Sequence, residues 1–352
     1  MTQLIPIQNI YRLLIYAWNV LDREDLLANT DIDGLDTAGD LLGCILADEM
    51  NQLSTHGLHQ TYREEKELLS TLRGRLEIWE TVSKFHNRHA RAICTFTELD
   101  VDNKLNQAIR TIARWLLTCP TLSNDVAGRL MEADEHWGGV SIVPDSVYFL
   151  ERWMPTPNTR RYELVVDIAR LIRDDLVADD RGGSRRMPDF TRDIGKMRIL
   201  FEKFVCNYLH RHSSSDGWKC GPKRYKWLDG EEFTTEPSGT QPRIPGLNTD
   251  VTCRHDNESV IIETKFNKSV VTSDEYGEMI RPGHISQLFA YLSAEQMKRP
   301  DVPVRGVLLY GCPAGESLDL SFDLRGIPVR AYALCLDRDW EDISNDLLGL
   351  LQ

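Results

Sequence analysis

The segment Ser259-Val260-Ile261-Ile262-Glu263-Thr264-Lys265-Phe266 constrains this chain more than any other. Val260-Ile261-Ile262 is apolar on both faces of any strand it forms, the pattern of a strand buried inside a sheet. The same strand carries a carboxylate and an ammonium, Glu263 and Lys265, two residues apart and therefore on one face. A Glu-x-Lys pair is a common pattern on exposed strands. In a buried one, unpaired charges are costly and have to be answered by partners.

The preceding residues supply one. Asp256-Asn257 separates two strand-like runs, and Asn tolerates the positive φ that a two-residue hairpin turn uses. A turn there sets Val251 opposite Ile262, Cys253 opposite Val260 and Asp250 opposite Glu263, so that apolar residues meet apolar residues. Facing carboxylates lie about 5 Å apart at Cβ and repel, which calls for a positive charge between them. Lys265 meets that need on one side. Hard oxygen ligands of this kind also suit Mg²⁺, which takes one or two carboxylates plus waters and phosphate oxygens. Asp250 and Glu263 are accordingly read as metal ligands and Lys265 as the catalytic lysine of phosphodiester hydrolysis. The metal would polarise the phosphate and the lysine would orient or help deprotonate the attacking water.

Two helices carry supporting candidates. Glu202, between Phe201 and Phe204, is placed to reach the metal or its waters, and a solvated helix glutamate is the competing reading. Gln287 and Tyr291, four residues apart, share a helix face that can point at the strands, with plain core packing the competing reading for Tyr291.

A length of 352 residues suits two domains, and 41% hydrophobic with 27% charged residues is the balance of a folded globular protein. Helical spacing marks 10–21, 41–53, 105–117 and 162–177, with short strands expected between Leu58 and Val82. The polar run Asp179 to Pro188 is the expected boundary. After it come a helix over 194–209, strands near 223–227, 250–254 and 259–266, a helix over 285–297, and strands near 304–310 and 329–335. The fold class expected is therefore α+β or mixed α/β: an N-terminal α+β domain over 1–180, then a mixed sheet flanked by helices over 190–352.

No apolar run reaches the length of a membrane span and no secretory signal opens the chain, so a cytoplasmic protein is expected. The eight cysteines form no CxxC pair and are expected to be reduced, mostly buried thiols. A net charge of −13 argues against a protein that coats nucleic acid unaided. The balance is uneven, however. From Arg181 to Lys226 twelve basic residues stand against four acidic ones, a net of +8 that fits either a DNA backbone contact or a solvated linker face. No GxxxxGK[ST] phosphate loop and no GxSxG elbow is present, which removes GTP binding by that route and argues against a small-molecule hydrolase.

The Asp250, Glu263-x-Lys265 pattern resembles the PD-(D/E)xK nuclease superfamily. Further segments are more specific: Ile5-Pro6-Ile7-Gln8-Asn9-Ile10-Tyr11 with Tyr16-Ala17-Trp18, Arg73-Gly74-Arg75-Leu76-Glu77, Asn158-Thr159-Arg160 and Thr249-Asp250-Val251. Together they resemble the McrC family, the nuclease subunits of McrBC modification-dependent restriction systems, from about Ile5 to the final helix near Leu348. The resemblance implies a partner, an McrB-like AAA+ GTPase hexamer that binds the GTP and recognises double-stranded DNA containing methylated cytosine. It also implies that the N-terminal part docks into that ring and stimulates its GTPase while the C-terminal domain cuts. Two departures stand out: Thr249 occupies the position of the family's usual proline, and the second acid is Glu263 where relatives carry Asp. Arg73 and Arg75 are candidates for the GTPase-stimulating role, a structural turn being the other explanation of Gly74. A non-catalytic activating or scaffold subunit is the rival function.

Overall fold

The computed structural model describes residues 4–20, 34–84, 86–179, 189–226, 246–267, 272–274, 277–315 and 317–352. Contacts divide the chain into two units, Gly39–Pro188 and a second made of Met1–Ala38 together with Asp189–Gln352. The break at Pro188 falls at the polar run. The other corrects the expected N-terminal domain of 1–180, because the opening helix belongs with the C-terminal unit. That helix, α1 (Ile7–Ala17), is buried around nearly its whole circumference and needs cover on every side. The Asn9 amide donates to the carbonyls of Leu336 and Arg338, each at 2.8 Å. The Tyr16 hydroxyl pairs with His212 Nε2 at 2.7 Å, and its ring packs on Phe204, Tyr208 and Trp340.

The Gly39–Pro188 unit is α+β. Helix α2 (Ala38–Thr55) precedes β1 (Thr61–Leu69), β2 (Arg75–Leu76), the short α3 (Ile78–Ser83) and β3 (Ala92–Asp100), which form an antiparallel sheet of order β1-β3-β2. Helices α4 (Lys104–Leu116), α5 (Asn124–Glu135) and α6 (Glu163–Asp179) follow. Asn103 and Ser123 cap α4 and α5 with side-chain oxygens that accept first-turn N–H groups. Strand β3 and helix α5 escape the hydrophobic-pattern reading. Four consecutive residues of β3, Ile93–Phe96, are buried, so alternation is lost; α5 has only a narrow apolar stripe. Gly74 turns the chain into β2 at φ +65°, and a Cβ there would lie 2.4 Å from the Thr95 carbonyl oxygen. That settles the glycine on structural grounds. Arg73 pairs with Glu98 across the sheet, and Arg75 donates to Glu77 at 2.8 and 2.9 Å.

The other unit continues with α7 (Ile194–His212), capped by the Asp193 carboxylate, then β4 (Lys219–Gly221), β5 (Arg224–Tyr225), β6 (Leu247–Asn248), β7 (Val251–Arg254) and β8 (Ser259–Phe266). Strands β9 (Thr272–Asp274) and β10 (Gly277–Met279) pair with each other. Helix α8 (Pro282–Lys298), opened by a proline with its φ already helical, leads to β11 (Val304–Cys312), β12 (Asp319–Leu324), β13 (Ile327–Cys335) and α9 (Trp340–Gly349). The main sheet has six strands in the order β12-β13-β11-β8-β7-β4. Strand β11 lies parallel to β8 and β13, and the other pairings are antiparallel. A parallel β8–β11 pair needs a crossover, and α8 is that crossover. Strand β12 was outside the sequence expectation, and α9 is the final helix expected near Leu348. The strand expected over 223–227 is reduced to Arg224–Tyr225 among the described residues, and Trp227 lies outside them, as do Arg181, Arg185 and Arg186 of the basic stretch.

Alternation assigns the two faces of the sheet. Ile261 and Leu308 pack with Leu288, Tyr291 and Leu292 of α8. On the other face Gly311 leaves room for Phe201 of α7 and for Phe266, and a Cβ would come within 2.8 Å of both rings. Cys220 and Cys253, directly opposite on β4 and β7, form a disulfide, which corrects the expectation of reduced thiols throughout. Among the described residues no helix is long and apolar enough to cross a membrane.

Gly311→Ala drives a methyl group into two aromatic rings, and overpacking of this kind costs about 1–3 kcal/mol. Chemical denaturation should show that loss; an unchanged midpoint would contradict the close approach of α7.

Candidate active site

The β7–β8 register pairs Val251 with Ile262 and Cys253 with Val260, the pairing read from the sequence. The turn conformation differs from the expected one. Among the described residues only Asn19, Ala90 and Arg325 are non-glycine residues with positive φ, so neither Asp256 nor Asn257 adopts it. Arg299, just past the end of α8, braces the turn: its Nη2 donates to the carbonyls of His255 (3.0 Å) and Asp256 (3.3 Å). The turn closes through His255 N–H to the Glu258 carbonyl at 2.8 Å.

Thr249, immediately before Asp250, is buried. Its N–H donates to the Lys223 carbonyl at 2.9 Å, and its hydroxyl accepts the Lys223 N–H at 3.0 Å. A proline lacks that N–H and hydroxyl. Threonine therefore ties the start of β7 to the segment before β5. Asp250, next in the chain, stands at the strand end, and its Oδ2 accepts both the backbone N–H and the hydroxyl of Thr264, each at 2.8 Å. The carboxylate is thus anchored on the residue between Glu263 and Lys265.

Glu263 is 1% exposed. Its Oε1 accepts a bond from Lys265 Nζ, and its Oε2 is buried with no hydrogen-bond partner. Burial first, then the Asp250 charge, pushes its pKa up to about 7, with Lys265 pulling the other way. The Lys265 ammonium is also held by Gln287 Oε1 at 3.3 Å, and the Gln287 amide donates to the Tyr291 hydroxyl at 2.9 Å. Gln287 and Tyr291 are therefore attached to the lysine, and Tyr291 is at the same time part of the core. Glu202, half-buried on α7, has a raised pKa, from burial first and then from Asp250, while Lys265 lowers it. All six residues proposed from sequence belong to one electrostatic neighbourhood.

Four contributors were missed. Thr264 anchors Asp250. Glu295, fully buried on α8, accepts from Arg254 Nε (2.7 Å) and the Ser259 hydroxyl (2.9 Å) on one oxygen, and from the Tyr225 hydroxyl (2.7 Å) and Arg254 Nη2 on the other. Burial raises its pKa, but these bonds outweigh burial and hold it below the usual carboxylate range. His284 Nδ1 pairs with the Tyr310 hydroxyl at 2.9 Å, and Tyr310 sits beside Lys265 in the β11–β8 register. A signal was present in the sequence: His284, Gln287, Tyr291 and Glu295 are spaced three and four apart, one polar stripe along α8.

Among the described residues no three His, Cys, Asp or Glu side chains gather as a protein cage for a metal ion. Two carboxylates are present, one with a buried oxygen lacking any partner, and this donor set fits a hard divalent cation that keeps waters in its shell.

Comparison with known proteins agrees with the fold. The chain is 24% identical over 346 residues to the type IV methyl-directed restriction enzyme EcoKMcrBC of Escherichia coli (strain K12), covering 98% of this chain and 97% of the relative. Its fold resembles a chain in the refined half-complex of Thermococcus gammatolerans McrB AAA+ hexamers with bound McrC, with a TM-score of 0.56 at 17% identity over 98% of this chain and 75% of that one. The family model described as McrBC 5-methylcytosine restriction system component matches residues 24–311, most of the sequence. The chain belongs to that family of McrBC restriction system components.

Proposed function

We propose that this chain is the DNA-cleaving subunit of a GTP-dependent, methylcytosine-directed restriction complex, with Asp250, Glu263 and Lys265 as its hydrolytic centre. One observation carries the reading: a buried glutamate with a lysine on one oxygen and nothing on the other. Burying such a group costs stability unless a ligand completes it, so its retention favours a functional role.

Asp250 and Glu263 would hold Mg²⁺, which when bound polarises a scissile phosphate and lowers the pKa of a coordinated water. Lys265 orients the attacking water and offsets charge that develops on the phosphate. Gln287 fixes the ammonium, and Glu202 adds negative charge at the same end of β8. The partner in this reading is an McrB-like AAA+ GTPase hexamer, by likeness to the Thermococcus gammatolerans assembly of McrB AAA+ hexamers with bound McrC. That partner binds the GTP and supplies recognition of methylated double-stranded DNA. The acidic composition of this chain is compatible with leaving much of the DNA affinity to it.

Lys265→Ala should lower plasmid cleavage by the chain with its partner, GTP and Mg²⁺ by about a hundredfold or more, while leaving stimulation of the partner's GTPase intact. Equal cleavage by wild type and variant would leave only an activating or scaffold role.

A second expectation concerns stability without metal. The folded-state pKa of Glu263 lies above its ordinary value, so its protonated form favours the fold below about pH 4.5. That stabilisation, at most about 3 kcal/mol, is lost as pH rises to about 7. Denaturation in EDTA should show this decline in wild type and not in Glu263→Gln. Added Mg²⁺ should restore stability above pH 7 only in wild type. Parallel curves for the two proteins would refute the metal assignment of Glu263.

A further inference from the structure

We propose that His284 donates a hydrogen bond, as a neutral imidazole, to a phosphate oxygen of the DNA strand being cut, with Tyr310 selecting the tautomer that makes this possible. The inference rests on the nucleolytic reading above and adds to it a substrate-contacting residue.

Tyr310 is completely buried on β11, and among the described residues His284 is the hydrogen-bond partner of its hydroxyl, at 2.9 Å from Nδ1. A buried phenolic O–H needs an acceptor. If His284 Nδ1 carried the proton, it would donate to the tyrosine oxygen and strand that O–H in the core. The satisfied arrangement has Tyr310 donating to Nδ1, which leaves the imidazole proton on Nε2. The tyrosine keeps its proton, since burial pushes its pKa up to about 12.

The placement is equally defined. Tyr310 lies next to Lys265 across the β11–β8 pair, and His284 sits one helical turn before Gln287, which binds Lys265 directly. His284 is half-buried, one ring nitrogen is held by Tyr310, and the other has no hydrogen-bond partner among the described residues. Lys265 and Arg281 are the charged groups that face it, and burial together with those two cations lowers its pKa to about 4. At neutral pH it is therefore an uncharged donor amid positive charge. A DNA phosphate beside Lys265 is the acceptor such a setting favours, because a neutral donor adds a directed bond without adding repulsion to the two cations.

The test uses the chain with its partner, GTP, Mg²⁺ and methylated plasmid, and compares His284→Phe, His284→Gln and Lys265→Ala. Glutamine can present an N–H near the position of Nε2, whereas phenylalanine keeps the bulk and loses the donor. His284→Phe should cut about tenfold more slowly, the worth of one hydrogen bond to a charged group. His284→Gln should recover most of that loss with the pH profile of wild type between pH 6 and 8. Thermal stability should fall in His284→Phe, which strands the Tyr310 O–H, and adding Tyr310→Phe should restore it without restoring cleavage; GTPase stimulation should be unchanged throughout. Equal impairment of Phe and Gln variants, or wild-type cleavage by His284→Phe when Lys265→Ala is inactive, would overturn the role of His284 and leave the active site standing. Undiminished cleavage by Lys265→Ala would remove the active site and this proposal together.

Discussion

The ion pair between Glu263 and Lys265 is the constraint on which the rest of this unit depends. It lies on a central strand whose neighbours on both sides are paired, and Glu263 is buried there. A lone carboxylate in that position would neutralise itself by taking up a proton, and burial already moves Glu263 a long way in that direction. Lys265 resists the shift from one oxygen. The other oxygen has no hydrogen-bond partner within the described protein, and a native fold seldom tolerates this without a functional reason.

The surrounding architecture serves that pair. Helix α8 is required topologically, since two parallel neighbours cannot be joined by a hairpin. It is fastened to the sheet at two levels: His284 to Tyr310 near its start, and Glu295 to Arg254, Ser259 and Tyr225 further along. Gln287 and Tyr291 lie between those fastenings, so their reach to Lys265 is set by the rigid elements on either side. Helix α7 covers the opposite face through Phe201, and α1 covers α7 in turn, which explains why the first residues of the chain belong with its last.

Much of this was legible in the sequence because it follows from periodicity. The apolar run at Val260–Ile262 marked the central strand, and pairing apolar with apolar fixed the β7–β8 register. Helical spacing located α1, α2, α4, α6, α7 and α8 to within a few residues. What was hidden depended on contacts between distant segments. The domain assignment of α1 rests on Asn9 reaching the carbonyls of Leu336 and Arg338. The turn at Asp256-Asn257 is braced by Arg299, more than forty residues away. The Cys220–Cys253 bond needs a β4–β7 pairing that three residues of strand cannot announce. Thr264 was invisible for a different reason: alternation assigns its side chain to the other face, and only the bend at Asp250 brings the two together.

The most direct test of the central claim is a crystal structure of the chain soaked in Mn²⁺, read by anomalous scattering. The account predicts one ion at about 2.1 Å from a carboxylate oxygen of both Asp250 and Glu263, a typical length for small divalent cations on hard ligands, with Lys265 beside it. An ion bound elsewhere, or no ion while Glu263 keeps an unpartnered oxygen, would contradict it.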